Sequence, residues 1–545
     1  MAHQGGSFLT GTFACLLLGF FVLQSPAVES ANILGVFASH NPSHLIVHMS
    51  IMKALAEEGH NVTVVSTSQP KVTHKNIKHV VIPRSEAEEK VIRDGLTTLA
   101  KEKPSMVTTI KNLFGSLSTL IYKQVDVLED KRFTDLYKNK GNKFDAVVLG
   151  LFFNFYQAGL GSRFKCPLIV SWAGPPMVRI NDAVGNPELI ATVPGINVAV
   201  LPGQAMNFKQ RLANFGSSMV FRLLSFYLET LNAQFYERLW GKDPAMMSYE
   251  EAKKNISLAF CNSHAISEGP IRPNVPAVIE IGGIQIKDKP DPLPQDIKEF
   301  LDSAKHGAIL FSLGSNLKGD HIQPELIGKI FEALSSLKQN VIWKWDDLKN
   351  LPGKSSNILY KKWLPQDDIL AHPNIKLFIT HAGKGGVAES QYHGKPMLAL
   401  PVFADQPGNA DKLVQAGYGL RVDLLTLEVY EFKGAINEIL KNPSFSTKVQ
   451  QFSKLYRDRP MSARDSVIYW VNYVLRHHGA GHMQSPLVHM NFIASHNLDV
   501  YLLLTTILIV IALISTVVIK FFWRKCCAGK GKSQRTDQKP KIKRH

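Results

Sequence analysis

Residues 500–519 of this 545-residue chain read VYLLLTTILIVIALISTVVI, twenty positions without a charged side chain. At a rise of about 1.5 Å per residue, such a run forms a helix just long enough for a hydrocarbon core about 30 Å thick, where the backbone must satisfy its own polar groups. The flanks are unequal: Asp499 precedes the run, while Lys520, Arg524 and Lys525 follow it, with Phe521, Phe522 and Trp523 at interfacial depth. The positive-inside rule then predicts a single transmembrane helix over residues 499–523 and a cytosolic tail over residues 524–545. That tail holds nine Lys or Arg against one acid, which is +8 of the formal net charge of +17. The excess reports topology, so the nucleic-acid binding that the total charge would suggest is set aside. With 45% hydrophobic and 20% charged residues, the chain has ample material for packed cores and is neither disordered nor fibrous.

Residues 8–23 form a second apolar stretch, ahead of small residues, and Val28-Glu29-Ser30 fits cleavage after Ser30. Residues 1–30 are therefore expected to be a signal peptide; only His3 marks its n-region, and an uncleaved anchor is the alternative. The two segments together predict a type I protein of the endoplasmic reticulum membrane, with its main body lumenal. Lys541 and Lys543 stand fifth and third from the end, which resembles the K-x-K-x-x retrieval signal of proteins of that membrane. Cys15 falls in the signal and Cys526-Cys527 at the inner face, where palmitoylation would suit them. Cys166 and Cys261 are expected as free buried thiols, since a domain of this size needs no disulfide. Of the glycosylation sequons, Asn61-Val62-Thr63 falls in an apparent core strand, which leaves Asn255-Ile256-Ser257 as the better acceptor.

Strand and helix signals alternate along the rest. Residues 32–37 (NILGVF) read as a buried strand, 45–58 as a helix stopped by Gly59, and 61–66 (NVTVVS) as the next strand, the pattern of a parallel sheet. Further strands are expected at 80–82, 146–149 and 168–171. A second series begins at 309–313, with a helix over 325–337 and strands at 341–345, 376–380 and 397–400. Two such series imply two α/β domains, at residues 31–286 and 296–455, joined by the proline-rich linker 287–295 (KDKPDPLPQ). Residues 456–478 read as one helix with Ala463, Val467, Trp470, Val471 and Val474 on its apolar side, within a segment 456–498 that precedes the span.

The densest motif runs from Trp363 to Gln406. It contains Trp363-Leu364-Pro365-Gln366, then His381-Ala382-Gly383-Lys384-Gly385-Gly386 leading to Glu389, and then Asp405-Gln406. The glycine cluster follows a strand and opens a helix, so backbone N–H groups and the positive end of the helix dipole face an approaching anion. Neither a Walker lysine pattern nor G-x-G-x-x-G is present.

This spacing resembles the signature of the UDP-glycosyltransferases, and the likeness extends from the leading apolar stretch to the basic tail, with residues 41–66 most similar to insect members. The resemblance implies a GT-B architecture, two Rossmann-like domains facing a cleft, with a UDP-sugar as co-substrate and no permanently bound cofactor. It implies that Trp363 stacks on uracil and Gln366 bonds the nucleoside. His381, Gly383 and the amides after it, with Gly314 and Ser315, would hold the diphosphate. Glu389 would accept from the ribose hydroxyls, and Asp405 with Gln406 from those of the sugar. His44 matches the family's catalytic base, which removes a proton from the acceptor hydroxyl and inverts the donor's anomeric centre. His40, His44 and His48 are four apart, but no glutamate completes H-E-x-x-H, so no metal is expected.

One departure stands out. Relatives carry an acidic residue that orients the catalytic histidine, and Gly150 occupies its place; Asn154, Gln157 or a backbone carbonyl would have to substitute. The resemblance favours glucose transfer from UDP-glucose to a small lipophilic hydroxyl compound. A glucuronosyltransferase and a catalytically weak or silent lipophile binder are the alternatives. Residues 195–231 mix Phe208, Phe215, Phe221 and Phe226 with Lys209, Arg211 and Arg222, as expected of helices at a membrane surface or of a core-facing pair. Homo- or hetero-oligomerisation is left open.

Overall fold

The computed structural model describes residues 30–39, 41–99, 106–195, 198–201, 203–265 and 272–530. The expected signal peptide and the K-x-K-x-x end of the tail lie outside them. The chain divides into two compact units, one ending at Ser485 and one beginning at Pro486.

The first unit is built on two parallel sheets. In chain order the strands are β1 (Asn32–Phe37), β2 (Asn61–Ser66), β3 (Ile77–Val81), β4 (Ala146–Gly150), β5 (Leu168–Trp172), β6 (Ile256–Cys261) and β7 (Val278–Glu280). They are followed by β8 (Ala308–Ser312), β9 (Asn340–Lys344), β10 (Ile358–Lys361), β11 (Ile375–Thr380), β12 (Met397–Ala399) and β13 (Gly419–Arg421). The first sheet has the order β3-β2-β1-β4-β5-β6-β7 and the second β10-β9-β8-β11-β12-β13. All neighbours in both are parallel.

Strands buried on both faces read as continuous apolar runs, and alternate side chains feed different cores. In β1, Leu34 and Val36 join one cluster and Ile33 and Phe37 the other. In β8, Ile309 and Phe311 face one way and Ala308 and Leu310 the other. Each strand order reverses once, between β1 and β4 in the first sheet and between β8 and β11 in the second. Crevices for ligands open at such switch points, beyond the carboxyl ends of the strands.

The structure corrects several expectations. The helix expected from residue 45 spans Pro42–Glu57, because the Asn41 side chain accepts from Ser43 N at 3.1 Å and Pro42 occupies the first helical position. Residues 456–478 are not one helix: Pro443–Arg457 ends one, and Ala463–Arg476 begins another capped by Ser462. Pro460 stands in the break, where it can neither donate nor continue a helix. The aromatic segment around residue 215 is a single helix, Phe208–Trp240. Leu224, Leu228, Leu231 and Phe235 are buried on one side, while Phe208, Leu212, Phe215 and Phe226 are exposed. The sequon ranking reverses: Asn61, at the mouth of β2, is exposed, whereas Asn255 is half-buried and Ser257 buried. Cys166 and Cys261 are free and buried.

The Ala463–Arg476 helix packs Val467, Val471 and Val474 into the core shared with Ile33, Leu55 and Ile51. Its polar anchor is Asn472, whose Oδ1 is 3.0 Å from Nε2 of buried His60. The Ala31 amide donates to His60 Nδ1 at 3.2 Å, so the ring hydrogen resides on Nε2 and is given to Asn472. Burial depresses the His60 pKa, in keeping with that neutral tautomer.

In the second unit a short Phe492–Ser495 helix precedes a 33-residue helix, Leu498–Lys530. Its Leu498–Cys527 portion is long and apolar enough to cross a membrane, and none of its apolar stretch is buried in protein.

Asn472→Ala should leave a buried N–H unpartnered and destabilise the first unit by about 1–3 kcal/mol, read as a fall in thermal unfolding midpoint. Arg464→Ala, which breaks only the exposed pair with Glu57, should cost no more than about 1 kcal/mol.

Candidate functional site

Both switch points carry the residues singled out by the sequence. After β1, the capped helix starts at once and places His44 in its first turn. The ring sits edge-on to Phe152 and Trp172, with centroids 5.0 and 5.4 Å away. Its Nδ1 is shielded from solvent and has no hydrogen-bond partner. Burial pushes the imidazole down to about 4, and the positive end of the helix dipole acts in the same direction. None of the expected substitutes for an orienting carboxylate reaches it. Asn154 is spent on its own loop, with Oδ1 accepting from Phe152 N at 2.6 Å and Nδ2 donating to Gly150 O at 3.2 Å. Gln157 is fully buried and its side-chain atoms make no hydrogen bond.

At the second switch point, His381 follows β11 and is clasped between two glycines. A Cβ on Gly314 would lie 2.5 Å from its Cε1, and one on Gly383 2.3 Å from its Nε2. Gly314 also has φ +81°, so it is required for its backbone as well as for its size. Ser315 continues the same loop, half-buried. Burial lowers His381 to about 4, and its Nδ1 is another shielded atom without a partner. Ala382 takes φ +61°, a strained value for a residue with a side chain, and Asn409 Nδ2 holds its carbonyl at 3.0 Å. Gly383 then caps the Lys384–Tyr392 helix without any side-chain bond to its first amides. The N-terminus of a helix capped this way favours an approaching anion.

Around this cradle, Gln366 Nε2 donates to Glu389 Oε2 at 2.6 Å. Burial, reinforced by Asp367, pushes Glu389 up to about 8. Trp363 is 47% exposed, and Lys71 Nζ, from the loop after β2, lies 2.9 Å from its ring centroid. Asp405 Oδ2 accepts from Asn409 at 2.7 Å. Gln406 differs from its expected part as an acceptor. Its Oε1 already takes the amides of Val402 and Phe403 at 2.9 and 3.1 Å, so toward a ligand it can only donate.

Three polar residues outside the expected set belong here. Gln285 has both side-chain atoms shielded without a partner, and its Nε2 would be 3.9 Å from a Cβ on Gly385. Burial lowers Lys384 to about 7, helped by the charge of Lys412, and lowers Lys412 to about 8, helped by that of Arg272, with Asp405 acting against the shift on each. Nothing in the sequence marks Gln285 or Lys412 beyond the neighbouring glycines and the helix after Asp405.

The two switch points meet directly: Asn316 Nδ2, in the loop after β8, is 3.3 Å from Oδ1 of Asn41, the cap of the His44 helix. Buried polar groups are ordinarily paired. Here His44, His381 and Gln285 each keep a shielded side-chain atom without a partner, as expected where a polar ligand completes the bonding.

Because folding holds Glu389 protonated, its contribution to stability is present in full below its ordinary pKa of 4.5 and is lost as pH rises toward about 8. Glu389→Gln should therefore unfold at a temperature increasingly above wild type as pH rises through that window, in protein free of nucleotide.

A family model described as UDP-glucoronosyl and UDP-glucosyl transferase matches residues 33–533. UDP-glucosyltransferase 2 of Dactylopius coccus is 32% identical over 503 residues, covering 90% of this chain and 94% of that protein. UDP-glucuronosyltransferase 2B7 of Homo sapiens is 29% identical over 511 residues, with coverages of 90% and 94%. Among solved structures, Phytolacca americana UGT2 complexed with UDP-2fluoro-glucose and pterostilbene superposes with a TM-score of 0.56 at 17% identity, over 82% of this chain and 100% of that one. The chain belongs to the UDP-glucuronosyl and UDP-glucosyl transferase family, an enzyme family of GT-B fold, and carries a C-terminal helix able to cross a bilayer.

Proposed function

We propose that the protein transfers glucose from UDP-glucose to a hydroxyl of a small lipophilic acceptor, with inversion, in the lumen of the endoplasmic reticulum. The observation that carries this reading is the Asn41–Asn316 contact, which brings the His44 helix and the anion cradle around His381 to one crevice. The aromatic walls of His44, Phe152 and Trp172, suit an apolar acceptor.

His44 Nε2 takes the acceptor's proton. The freed oxygen bonds to the anomeric carbon while the bond from that carbon to UDP breaks and its electron pair leaves with the diphosphate. His381, Gly314, Ser315, Gly383 and the first amides of the Lys384–Tyr392 helix hold that diphosphate and receive its growing charge. Trp363 stacks on uracil and Gln366 lies at the nucleoside. Glu389 meets the ribose, and Asp405 accepts from the sugar while Gln406 donates to it. The apolar Leu498–Cys527 helix anchors the enzyme, with the basic residues after it on the cytosolic side.

The two buried lysines that interact with Asp405 favour a second donor, UDP-glucuronate, whose carboxylate they could neutralise. Competition among UDP-glucose, UDP-glucuronate and UDP-N-acetylglucosamine over a panel of phenols, read by product mass, decides between donors. UDP release no faster than in His44→Ala would instead indicate a silent lipophile binder.

His44→Ala should lower kcat about 100- to 10,000-fold, with UDP affinity unchanged. As a base already neutral, His44 should support a level kcat/KM down through pH 6.5, falling only as pH approaches about 4. Trp363→Ala should weaken UDP binding by about 1–3 kcal/mol, measured by titration calorimetry.

A further inference from the structure

A histidine base works best when its second nitrogen is held by an acceptor, which fixes both the tautomer and the ring. The geometry around His44 supplies an acceptor that is not a carboxylate. His48 lies one turn further along the same helix and is buried. Its ring stacks on Phe37 at 4.9 Å, and its Nδ1 is 2.8 Å from Oγ of Ser171. Ser171 pairs with Gly150 across β5 and β4. A Cβ on Gly150 would fall 3.0 Å from His48 Nε2 and Cδ2 and 2.9 Å from Phe37 Cδ1. The imidazole of His48 thus fills the space into which a side chain at position 150 would grow.

Two nitrogens are left over. His48 Nε2 and His44 Nδ1 are both shielded from solvent and both lack a partner. The two rings meet edge-on with centroids 6.4 Å apart. With the ring centres that far apart and no direct bond between the two nitrogens, a link between them needs an intervening water.

We propose that His48, backed by Ser171, is the positioning residue for His44: His44 Nδ1–H donates through one water to His48 Nε2, and His48 Nδ1–H donates to Ser171 Oγ. This rests on His44 being the base. In the reaction the acceptor's proton lodges on His44 Nε2, and His48 stays neutral throughout. The groups facing the pair are Phe37 from β1, Phe152 after β4, and Ser171 and Trp172 from β5. Among the described residues the charge acting on His48 is that of His44, and no carboxylate acts on either ring. Gly150 is then no defect but the space that admits His48.

The test uses the full-length membrane protein, with UDP release from UDP-glucose and UDP-glucuronate over the phenol panel, and thermal unfolding with and without UDP as the check on folding. His48→Leu should lower kcat about 10- to 100-fold, the range seen when a group orienting a functional imidazole is lost. KM for the UDP-sugar and the UDP-induced rise in unfolding temperature should hold. Ser171→Ala should lower kcat by less, and His48→Gln, which restores an acceptor, should recover part of the loss. The double variant Gly150→Asp with His48→Ala should exceed His48→Ala alone and move the acid limb of kcat/KM upward, because a carboxylate stabilises the imidazolium. The proposal is overturned by a His48→Leu enzyme with wild-type kcat. It is equally overturned if the Leu and Gln variants lose the same activity and the double variant neither gains activity nor shifts the acid limb. Should His48→Leu fail to fold, Ser171→Ala and the double variant decide. An active wild type matched by His44→Ala overturns the base itself, a result distinct from any pattern among the His48 variants.

Discussion

Parallel pairing is the constraint on which the rest depends. A parallel strand must be followed by a crossover, so every strand of a sheet delivers its following loop to the same edge. Where the strand order reverses, two of those loops diverge and leave a crevice. In the first sheet the reversal lies between β1 and β4, which puts His44, Gly150 and, one strand further, Ser171 along one edge. In the second it lies between β8 and β11, which puts Gly314 and His381 side by side although 66 residues of chain separate them. Chemistry-bearing residues from distant parts of the sequence converge because of strand order, before any side chain is considered.

Burial then shapes the electrostatics. Among the groups lining the crevice, His44 and His381 are held neutral, Lys384 is brought down to about 7, and Glu389 is brought up to about 8. Each shift moves a group away from its charged form, as expected where burial is the largest influence. A diphosphate would reverse the direction for the lysines and for His381. Ala382 and Ala404, both at positive φ, hold the loops in conformations that cost about 1–3 kcal/mol each. The crevice is thus preorganised and electrically incomplete until a nucleotide enters.

Much of this was legible in the sequence where burial is uniform. Strands β1 and β2 match their expected bounds because the buried β-branched and apolar residues within them leave little choice of element. Boundaries set by capping were harder: Asn41 and Pro42 start the first helix three residues early, and Pro460 divides what hydrophobic spacing alone joins. The edge strands β10 and β13 escaped because they are only partly buried and carry Tyr360 or Arg421 where a core strand would be apolar, and β6 and β7 escaped as well, although β6 is buried throughout. At the site, the spacing from Trp363 to Gln406 singled out residues that the fold gathers after β10, β11 and β12, but direction of bonding was invisible: Gln406 Oε1 is already occupied. The meaning of Gly150 was likewise unreadable, since it depends on a helix facing β4 across the layer and on the volume of His48.

The contact between Lys71 and Trp363 alters what nucleotide binding is. With an ammonium 2.9 Å from the ring centroid, the indole is not an idle platform. A uracil stacking on that face, as proposed for Trp363, would exchange one cation–π contact for one stack, so its net gain would be a difference between two favourable terms. The displaced lysine stays tethered to the loop after β2, close enough to compete again as soon as the base lifts. On the proposed reading of Trp363, product departure would be assisted from within the chain, and the cleft could grip a nucleotide during transfer without having to hold the spent one for long.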